Sequence, residues 1–353
     1  MVLSCQNVNK AFHEKQVFRN CSFHIEDYEK AAVVGINGAG KTTLLRIIVG
    51  ELEADSGQVV FGKDKSFGYL PQNAEVDSEH TIYDELLEVK RDVIALEERI
   101  RQCELEMKHV EGEALAALME QYALYTHHFE LADGYSYRSE IVGVLKGLGF
   151  TEEEFSKKAC TLSGGQKTRV ALGKLLLDRP DLIILDEPTN HLDMSSIAWL
   201  ENYLLNYKGA VLIVSHDRKL LDRVCNQVWE LEDGAVRVFD GNYSQWAEQT
   251  RRERDFQEFE YQQYRREKRR LELAADDLAR HGKQMQKPPK RMGSSEWRLY
   301  KGTASIQQGH VQSNAQAIST RIEQLEKKER PRQQPDVSMK LPDSGRIRAR
   351  YAA

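Results

Sequence analysis

The sequence predicts an α/β domain with a helical hairpin inserted into it and a second helical hairpin after it. Short apolar runs typical of buried strands, such as residues 182–185, alternate with helical segments over much of the chain. A glycine-rich loop lies between an apolar strand, Ala31–Val34, and a helix predicted over Thr43–Val49. Two polar segments, residues 83–132 and the chain from about residue 247, instead repeat apolar residues at spacings of three and four, which is typical of long helices.

The glycine-rich loop has the composition and the surroundings of a phosphate-binding loop, or P-loop. Because it follows a strand and precedes a helix, its backbone N–H groups can point at a β-phosphate. We expect Lys41 to reach the β- and γ-phosphates and the Thr42 hydroxyl to ligate Mg²⁺. The ATP-binding residues predicted in this segment are Gly35, Asn37, Gly38, Ala39, Gly40, Lys41, Thr42 and Thr43.

Residues 83–132 predict two helices that pack against each other as a hairpin. Glu111–Glu113, with a glycine at its centre, separates the two stretches and suits a tight reversal. Such an apolar seam is more typical of internal packing than of a binding surface. The seam residues are Leu86, Val89, Val93, Leu96, Ile100, Cys103 and Met107 in the first helix and Leu115, Leu118, Tyr122, Tyr125 and Phe129 in the second.

The strand predicted over residues 182–185 ends in two acidic residues, Asp186 and Glu187. Carboxylates at the end of an apolar strand are costly to bury unless they meet a cation. Downstream of a phosphate-binding loop, they predict that Asp186 holds Mg²⁺ and that Glu187 polarises the attacking water.

Residues 247–330 predict a second helical hairpin with a basic and aromatic tip. Its seams are Tyr261, Tyr264, Lys268, Leu271, Ala275 and Leu278 on the outgoing helix and Val311, Ala315, Ile318, Ile322 and Leu325 on the returning helix. Residues 282–309 lack apolar periodicity, and their basic and aromatic side chains suit phosphate contacts with base stacking. A disordered linker is the alternative. The RNA-contact candidates are Lys287, Lys290, Arg291, Trp297, Arg298 and Lys301.

Charge is unevenly distributed between these regions. The whole chain has a net charge of −5, but residues 248–353 contain 24 Lys and Arg against 15 Asp and Glu. A basic extension on an acidic body favours an anionic partner for the extension, and a solvated helical surface is the alternative.

The composition also bears on the compartment. Charged residues make up 30% of the chain, and no run of about 18 apolar residues occurs, so we expect no membrane span. The first residues lack the basic-then-apolar pattern of a secretion signal. The five cysteines have no metal-ligand spacing, which is typical of free thiols in a reducing compartment. We therefore expect a cytoplasmic protein.

The order of these motifs resembles that of the ABC ATPases. Residues 162–166, which read Leu-Ser-Gly-Gly-Gln, are similar to the signature motif of that family. The start of a helix there would present N–H groups and a positive dipole end to a phosphate. The resemblance implies that this phosphate belongs to a nucleotide held by a partner domain. The signature residues implied to act in this way are Ser163, Gly164, Gly165 and Gln166.

Three further residues match positions with a role in that family. Gln72 resembles the loop glutamine that contacts Mg²⁺ and the attacking water, and His216 resembles the switch histidine that contacts the γ-phosphate. Phe12 lies where family members stack an aromatic ring on adenine, but it could equally belong to the core, and Phe18 is close by. The implied catalytic residues are Glu187, His216 and Gln72, and the implied metal ligands are Thr42, Gln72 and Asp186.

Three stretches narrow the resemblance to the F branch of the ABC ATPases, and these are Asp186–Asp193, Ser215–Arg218 and Gly241–Ser244. The inserted hairpin resembles the arm of that branch, and the basic hairpin resembles the linker between its two ATPase domains. The resemblance implies ATP-driven binding to the ribosome near the tRNA exit site, with rRNA and P-site tRNA as partners. It leaves open whether the protein is a translation factor or protects the ribosome against an antibiotic.

The chain departs from the F branch because it has one set of motifs, whereas members of that branch carry two ATPase domains. The predicted organisation is an ABC ATP-binding domain over residues 1–246, the linker over 247–330, and a truncated second ABC domain or disordered tail over 331–353. Because each composite site needs two domains, we expect a fragment or head-to-tail self-association. A single domain is expected to hydrolyse ATP weakly.

Three other functions fit part of the sequence. An ATPase subunit of an ABC transporter would share the ATP motifs but lack the basic hairpin. A DNA-associated ATPase with a coiled-coil extension would bind duplex DNA in preference to ribosomes. A binding module without catalysis would lack Glu187 or His216, and both are present.

Overall fold

The computed structural model describes residues 1–284, apart from 14 and 75, and residues 309–328, apart from 312 and 326. The chain divides into two compact units, Met1–Ala247 and Glu248–Ala353. The first unit contains two β-sheets with helices packed against them, so the prediction of an α/β domain is confirmed. Among the described helices, none has the length and apolar character needed to cross a membrane.

The strands of the first unit form two sheets. The strands are β1 Leu3–Phe12, β2 Lys15–Ile25, β3 Lys30–Val34, β4 Ser56–Phe61, β5 Phe67–Leu70, β6 Leu182–Asp186, β7 Ala210–Val214, β8 Gln227–Glu232 and β9 Ala235–Asp240. β2, β1 and β4 form an antiparallel sheet. The other six follow the order β5-β6-β7-β3-β8-β9, in which β9 runs antiparallel to β8 and the remaining pairs are parallel.

The parallel strands bring their carboxyl ends to one edge of the larger sheet. Asp186 at the end of β6 pairs with Val214 at the end of β7, and Leu70 of β5 lies opposite Leu185. β3 pairs with β7 and ends at Val34. The segments that follow these four strands therefore start side by side, where ligands bind in open α/β sheets.

Alternate residues of the central strands supply two hydrophobic clusters, one on each face of the larger sheet. On β6, Ile183 and Leu185 belong to one cluster, and Leu182 and Ile184 belong to the other. All four residues are completely buried. Burial on both faces explains why these strands appear as continuous apolar runs in the sequence.

The helices with defined bounds are α1 Lys41–Ile48, α2 Ile82–Glu88, α3 Arg91–Glu106, α4 Glu113–Leu131, α5 Tyr137–Gly147, α6 Gly164–Asp178, α7 Met194–Asn206, α8 Arg218–Val224 and α9 Tyr243–Gln284. The first of them begins two residues before its predicted start at Thr43. The loop ends at Gly40, whose left-handed conformation lets the helix begin directly at Lys41.

The inserted segment forms three helices where the sequence predicted two. α2 ends at Glu88, and Val89 and Lys90 separate it from α3. Leu86 on α2 is completely buried, and its Cδ2 would lie 3.3 Å from a Cβ added at Gly173 of α6. Leu86 therefore packs onto the body of the domain. The sequence pattern missed the break because the spacing of three and four residues continues through it.

α3 and α4 pack along the predicted seam. The hydroxyl of Tyr122 donates to Glu104 at 3.4 Å, and the Arg99 guanidinium lies 5.7 Å from the centre of the Tyr125 ring. Phe129 at the base of the pair is buried. These contacts join the two helices side to side, as the apolar spacing indicates.

In the second unit, the part of α9 after Ala247 carries the first predicted seam, and the described residues of 311–325 carry the second. Leu271 is buried, and the other seam residues are partly buried. The Lys328 ammonium lies 3.5 Å from the Glu260 carboxylate, which is the contact expected for antiparallel stretches. The tip between them, residues 285–308, lies outside the described residues.

Candidate active site

The glycine-rich loop leaves the end of β3 and leads directly into α1. Gly38 and Gly40 have φ values of 79° and 105°, and Gly40 is the N-cap of α1. α1 has no side-chain cap and no acidic residue in its first turn. Its first backbone N–H groups are therefore left for an anion. The loop and the first turn contain all the predicted contacts, Gly35, Asn37, Gly38, Ala39, Gly40, Lys41, Thr42 and Thr43.

Replacing Gly40 with alanine is expected to destabilise the folded chain. The added Cβ would lie 2.5 Å from Cγ1 of Val17 and 3.1 Å from Cζ of Phe18, in a left-handed conformation that strains any side chain. We expect the free energy of unfolding, measured by urea denaturation without nucleotide, to fall by about 2–3 kcal/mol. Gly38→Ala is the matched control, because no atom of the described residues lies within 4 Å of its added Cβ, and it should lose about 1 kcal/mol. Equal losses would show that Val17 and Phe18 do not restrict the loop.

The Lys41 ammonium lies over the loop, within electrostatic reach of the acids at the end of β6. Its Nζ donates to the backbone oxygens of Gly35 and Ile36 at 3.0 and 3.3 Å. Partial burial lowers the pKa of this ammonium group, and the charges of Glu187 and Asp186 act in the opposite direction. The arrangement places a mobile positive charge next to the anion site of the loop.

Asp186 ends β6 with a carboxylate that is buried and incompletely paired. The residue is 2% exposed, and its Oδ2 atom has no hydrogen-bond partner among the described residues. Burial raises the pKa of this carboxyl group, while the Thr42 hydroxyl and the Lys41 charge lower it. A buried carboxylate oxygen without a partner is costly, and a divalent cation with oxygen ligands removes that cost. The donor set of Asp186 and Thr42 therefore fits Mg²⁺.

Glu187 follows Asp186 in a left-handed backbone conformation with φ of 52°. Its backbone N–H donates to the Val214 oxygen at 2.8 Å, which fixes the residue against the end of β7. Its carboxylate accepts from the backbone N–H of His216 at 3.2 Å, and Nε2 of His216 lies 3.5 Å from Oε1. Burial raises the pKa of Glu187, His216 lowers it, and Asp186 raises it further. The fold thus pairs the acid with the histidine.

The backbone that carries His216 is fixed by hydrogen bonds, while its side chain is 69% exposed. Asp217 caps α8 by accepting from the N–H groups of Lys219 and Leu220 at 3.0 and 3.3 Å. The Ser215 hydroxyl accepts from the Asp217 N–H at 3.0 Å. The imidazole therefore projects into solvent from a rigid support.

Gln72 and Phe12 both present exposed side chains. Gln72 lies two residues beyond β5, the neighbour of β6, and its side chain makes no hydrogen bond to other described residues. Phe12 is 43% exposed at the end of β1, with the Lys10 ammonium 5.5 Å from its ring centre. Phe18 is completely buried. The structure therefore excludes the alternative that Phe12 belongs to the core.

The signature residues begin α6. Ser163 is the N-cap, where its hydroxyl accepts from the Gln166 N–H at 3.4 Å and the Gln166 amide oxygen accepts from the Ser163 N–H at 3.1 Å. Gly164 has open space around its Cα, and Gly165 lies against the ring of His191. In the described structure no hydrogen bond joins Ser163 or Gln166 to the glycine-rich loop.

The predicted RNA contacts cannot be placed, because all of them lie outside the described residues. They are Lys287, Lys290, Arg291, Trp297, Arg298 and Lys301. Sequence reasoning also missed Glu85, a buried acid on α2 that contacts α6. A glutamate in an acidic helix carries no sequence signal that distinguishes it from exposed glutamates.

Comparisons with known proteins agree with this geometry. The family model described as ABC transporter matches residues 18–190, which contain the loop and both acids at the end of β6. A solved structure of an ATP-binding subunit of an ABC transporter matches with a TM-score of 0.52 at 20% identity, over 71% of this chain and 93% of that chain. At this identity the likeness shows the fold alone, and it is the P-loop ABC ATPase fold predicted from the sequence.

Curated relatives are more similar in sequence. ABC transporter F family member 2 of Arabidopsis thaliana is 32% identical, over 78% of this chain and 41% of that protein. Tylosin resistance ATP-binding protein TlrC of Streptomyces fradiae is 34% identical, over 83% and 53% of the two chains. Energy-dependent translational throttle protein EttA of Escherichia coli is 35% identical, over 67% and 42%.

The chain thus spans about half, or less, of the length of the curated relatives it matches. The sequence motifs and their position at one edge of the larger sheet are those expected for the family whose model matches. The chain contains an ABC ATPase domain, and the relatives it matches include members of the F branch.

Proposed function

We propose that the chain binds ATP with Mg²⁺ at this edge of the sheet and hydrolyses the ATP to ADP and phosphate. The observation that carries the proposal is the buried Asp186 carboxylate, whose Oδ2 lacks a hydrogen-bond partner among the described residues. Lys41 and Thr42, at the uncapped start of α1, both act on that carboxyl group. A phosphate bound together with a divalent cation satisfies an anion site and an unpaired carboxylate at once.

The glycine-rich loop binds the triphosphate. Backbone N–H groups of the loop and of the first turn of α1 donate to the β-phosphate. Lys41 exchanges the backbone oxygens that it now contacts for β- and γ-phosphate oxygens, which are stronger, charge-assisted acceptors. The exposed ring of Phe12 stacks on adenine.

Thr42, Gln72 and Asp186 hold Mg²⁺. The ion, when bound, neutralises negative charge on the phosphates. Asp186 supplies the anionic ligand, Thr42 supplies a hydroxyl oxygen, and Gln72 supplies an amide oxygen from the exposed segment after β5. Oxygen donors of these kinds are the ligands that Mg²⁺ prefers.

Glu187 and His216 support the hydrolysis step. Glu187 polarises the water that attacks the γ-phosphorus, and the bond between that phosphorus and the oxygen of the ADP leaving group breaks. The raised pKa of Glu187 suits a group that accepts a proton. The His216 ring, which is exposed and lies 3.5 Å from Glu187, holds the γ-phosphate. Fixed donors and charges of this kind supply most of the rate enhancement in phosphoryl transfer.

A second ABC domain completes the site. Ser163 and Gln166 bond to each other at the start of α6, with no hydrogen bond to the loop of their own domain in the described structure. We assign Ser163, Gly164, Gly165 and Gln166 to the γ-phosphate of a nucleotide held by another domain. That domain is a second copy of this chain or lies outside it, so a single copy hydrolyses ATP slowly.

We propose further that ATP binding drives association with the ribosome near the tRNA exit site, in the cytoplasm. The relative EttA is named for translation, and the relative TlrC is named for resistance to tylosin. The basic residues after 247 supply the charge for rRNA and P-site tRNA. Residues 287–301 contain the candidate contacts named above. The protein is a translation factor or protects the ribosome against an antibiotic.

Co-sedimentation with ribosomes tests this association. At physiological salt, the Glu187→Gln chain should pellet with ribosomes several-fold more with Mg-ATP than with ADP, because it binds ATP without consuming it. A Lys41→Met chain, which lacks the phosphate contact, should pellet equally in both nucleotides. Pelleting that is independent of ATP and disappears as salt is raised would contradict the proposal. It would show that the chain and the ribosome attract each other only through non-specific charge interactions.

An ATPase subunit of an ABC transporter is the second candidate function. The family model and the solved subunit that shares the fold both carry the transporter description. This candidate predicts no ATP-dependent pelleting with ribosomes, so the same experiment distinguishes the two functions.

A further inference from the structure

Glu85 is a buried acid outside the nucleotide site. It lies on α2, and only 3% of it is exposed. One carboxylate oxygen accepts from the Lys174 ammonium of α6 at 2.6 Å. The other accepts from the Ser78 hydroxyl, and Nδ1 of His80 lies 3.6 Å from it. The carboxylate thus joins three segments: α2, α6 and residues 78–80, which precede α2.

The stretch after Gln72 is also bonded to the backbone that leads to Ser163. The Ala159 and Cys160 N–H groups donate to the oxygens of His80 and Ser78, at 2.9 and 3.0 Å. Further along, the Ile82 and Tyr83 N–H groups donate to the oxygens of Lys157 and Phe155, at 2.9 and 3.1 Å. Residues 78–83 and 155–160 therefore form one short antiparallel ladder. Its end lies three residues before the signature serine.

Lys174 and Ser163 belong to the same rigid element. Ser163 caps α6, and Lys174 is on that helix, three turns along. A helix of this length moves as a unit, so a contact at Lys174 constrains the position of the cap. The ladder constrains the same residue through the backbone that leads to Ser163.

We propose that Glu85 is a positioning residue that, through Lys174 and Ser78, holds the signature serine Ser163 in a fixed position relative to residues 78–83, which follow Gln72 in the chain. This assignment rests on the proposed function, because Gln72 and Ser163 belong to the ATP machinery only if the chain hydrolyses ATP. Misplacement of a catalytic group by about 1 Å lowers rates by about a hundredfold, so small shifts of α6 have large effects.

A cation site is the competing interpretation of these residues. His80, Glu85 and Glu88 bring three ligand atoms within 4.8 Å of one another. The Lys174 ammonium already lies 2.6 Å from Glu85 and 3.4 Å from Glu88, so a positive charge lies beside both carboxylates. Lys174 therefore supplies Glu85 with a positive partner of the kind that a metal ion would otherwise provide.

The test compares the unaltered chain with the variants Glu85→Gln and Lys174→Met. The Lys174 side chain is 31% exposed, so its replacement is better tolerated than replacement of the buried Glu85. Each chain is measured for ATP affinity and for the rate of ATP hydrolysis, at one protein concentration and under conditions in which all variants are folded. Hydrogen exchange is measured at residues 163–167. We expect about tenfold slower hydrolysis and about tenfold faster exchange at the start of α6, with ATP affinity within twofold. A variant with the two residues exchanged, Glu85→Lys with Lys174→Glu, should recover part of both losses.

Glu201→Gln is the matched control. Glu201 is 6% exposed, and its carboxylate lies 2.5 Å from the Arg223 guanidinium, between α7 and α8. Glu201→Gln therefore breaks an ion pair of a similarly buried acid that is not a pair with α6. Equal effects of Glu85→Gln and Glu201→Gln on exchange at residues 163–167, or faster exchange with unchanged hydrolysis, would overturn the proposal. If the unaltered chain bound no ATP, the proposed function would be wrong, and the exchange comparison would still decide whether Glu85 holds the start of α6.

Discussion

We expect replacement of Glu187 by glutamine to lower the rate of ATP hydrolysis by about a thousandfold while leaving ATP affinity within a fewfold of the unaltered chain. The amide keeps the shape of the side chain and can still face the His216 N–H, but it cannot accept a proton from water. General bases typically contribute factors of about a hundred to ten thousand. The phosphate contacts of the loop and of Lys41 are not altered.

The measurement is phosphate release under conditions in which the nucleotide site is saturated, together with a direct titration of ATP. Retained ATP binding serves as the internal control, because a misfolded variant would lose both properties. Hydrolysis within tenfold of the unaltered chain would mean that another group activates the water, and the role assigned to Glu187 would be wrong.

We expect replacement of Lys41 by methionine to weaken ATP binding by about a hundredfold or more. The ammonium group lies 3.0 Å from the Gly35 oxygen, directly over the loop, and it is the positive charge that acts on both acids. Hydrogen bonds to charged groups contribute about 1.5–3 kcal/mol each, and Lys41 is expected to contact two phosphates. A fluorescent ATP analogue in an equilibrium titration measures the change.

Lys30→Met is the matched control for this variant. Lys30 begins β3, at the end of the strand away from the loop, and its ammonium also donates to a backbone oxygen, that of Leu205, at 2.6 Å. Burial lowers the pKa of Lys30 as it does for Lys41. ATP affinity should be unchanged in Lys30→Met. Similar losses in both variants would mean that Lys41 acts through the stability of the domain and not through the phosphates.

The predicted positions of strands and helices are confirmed where the hydrophobic pattern and the order of residues along the chain dictate the secondary structure. β6 and β7 are buried on both faces, so they had to appear as continuous apolar runs, and β6 lies within one residue of the predicted run at 182–185. The break between α2 and α3 was missed because Val89 and Lys90 interrupt the helix without any proline or glycine. Tertiary packing of Leu86 onto α6 redirects the chain there.

The sequence by itself determined the parts of the site that are local. A strand, a glycine-rich turn and a helix start must place Lys41 and Thr42 at the mouth of the loop, because consecutive residues and their φ preferences leave little freedom. The same holds for Asp186, which ends a strand buried on both faces.

Only the tertiary structure decided how distant segments meet. The contact between Glu187 and His216 joins residues 29 positions apart through the register of β6 and β7. The pairing of Glu85 with Lys174 joins residues 89 positions apart through the packing of α2 on α6. Such partners are chosen by sheet order and helix packing, which minimise the exposed apolar area of the whole domain, and no local pattern encodes them.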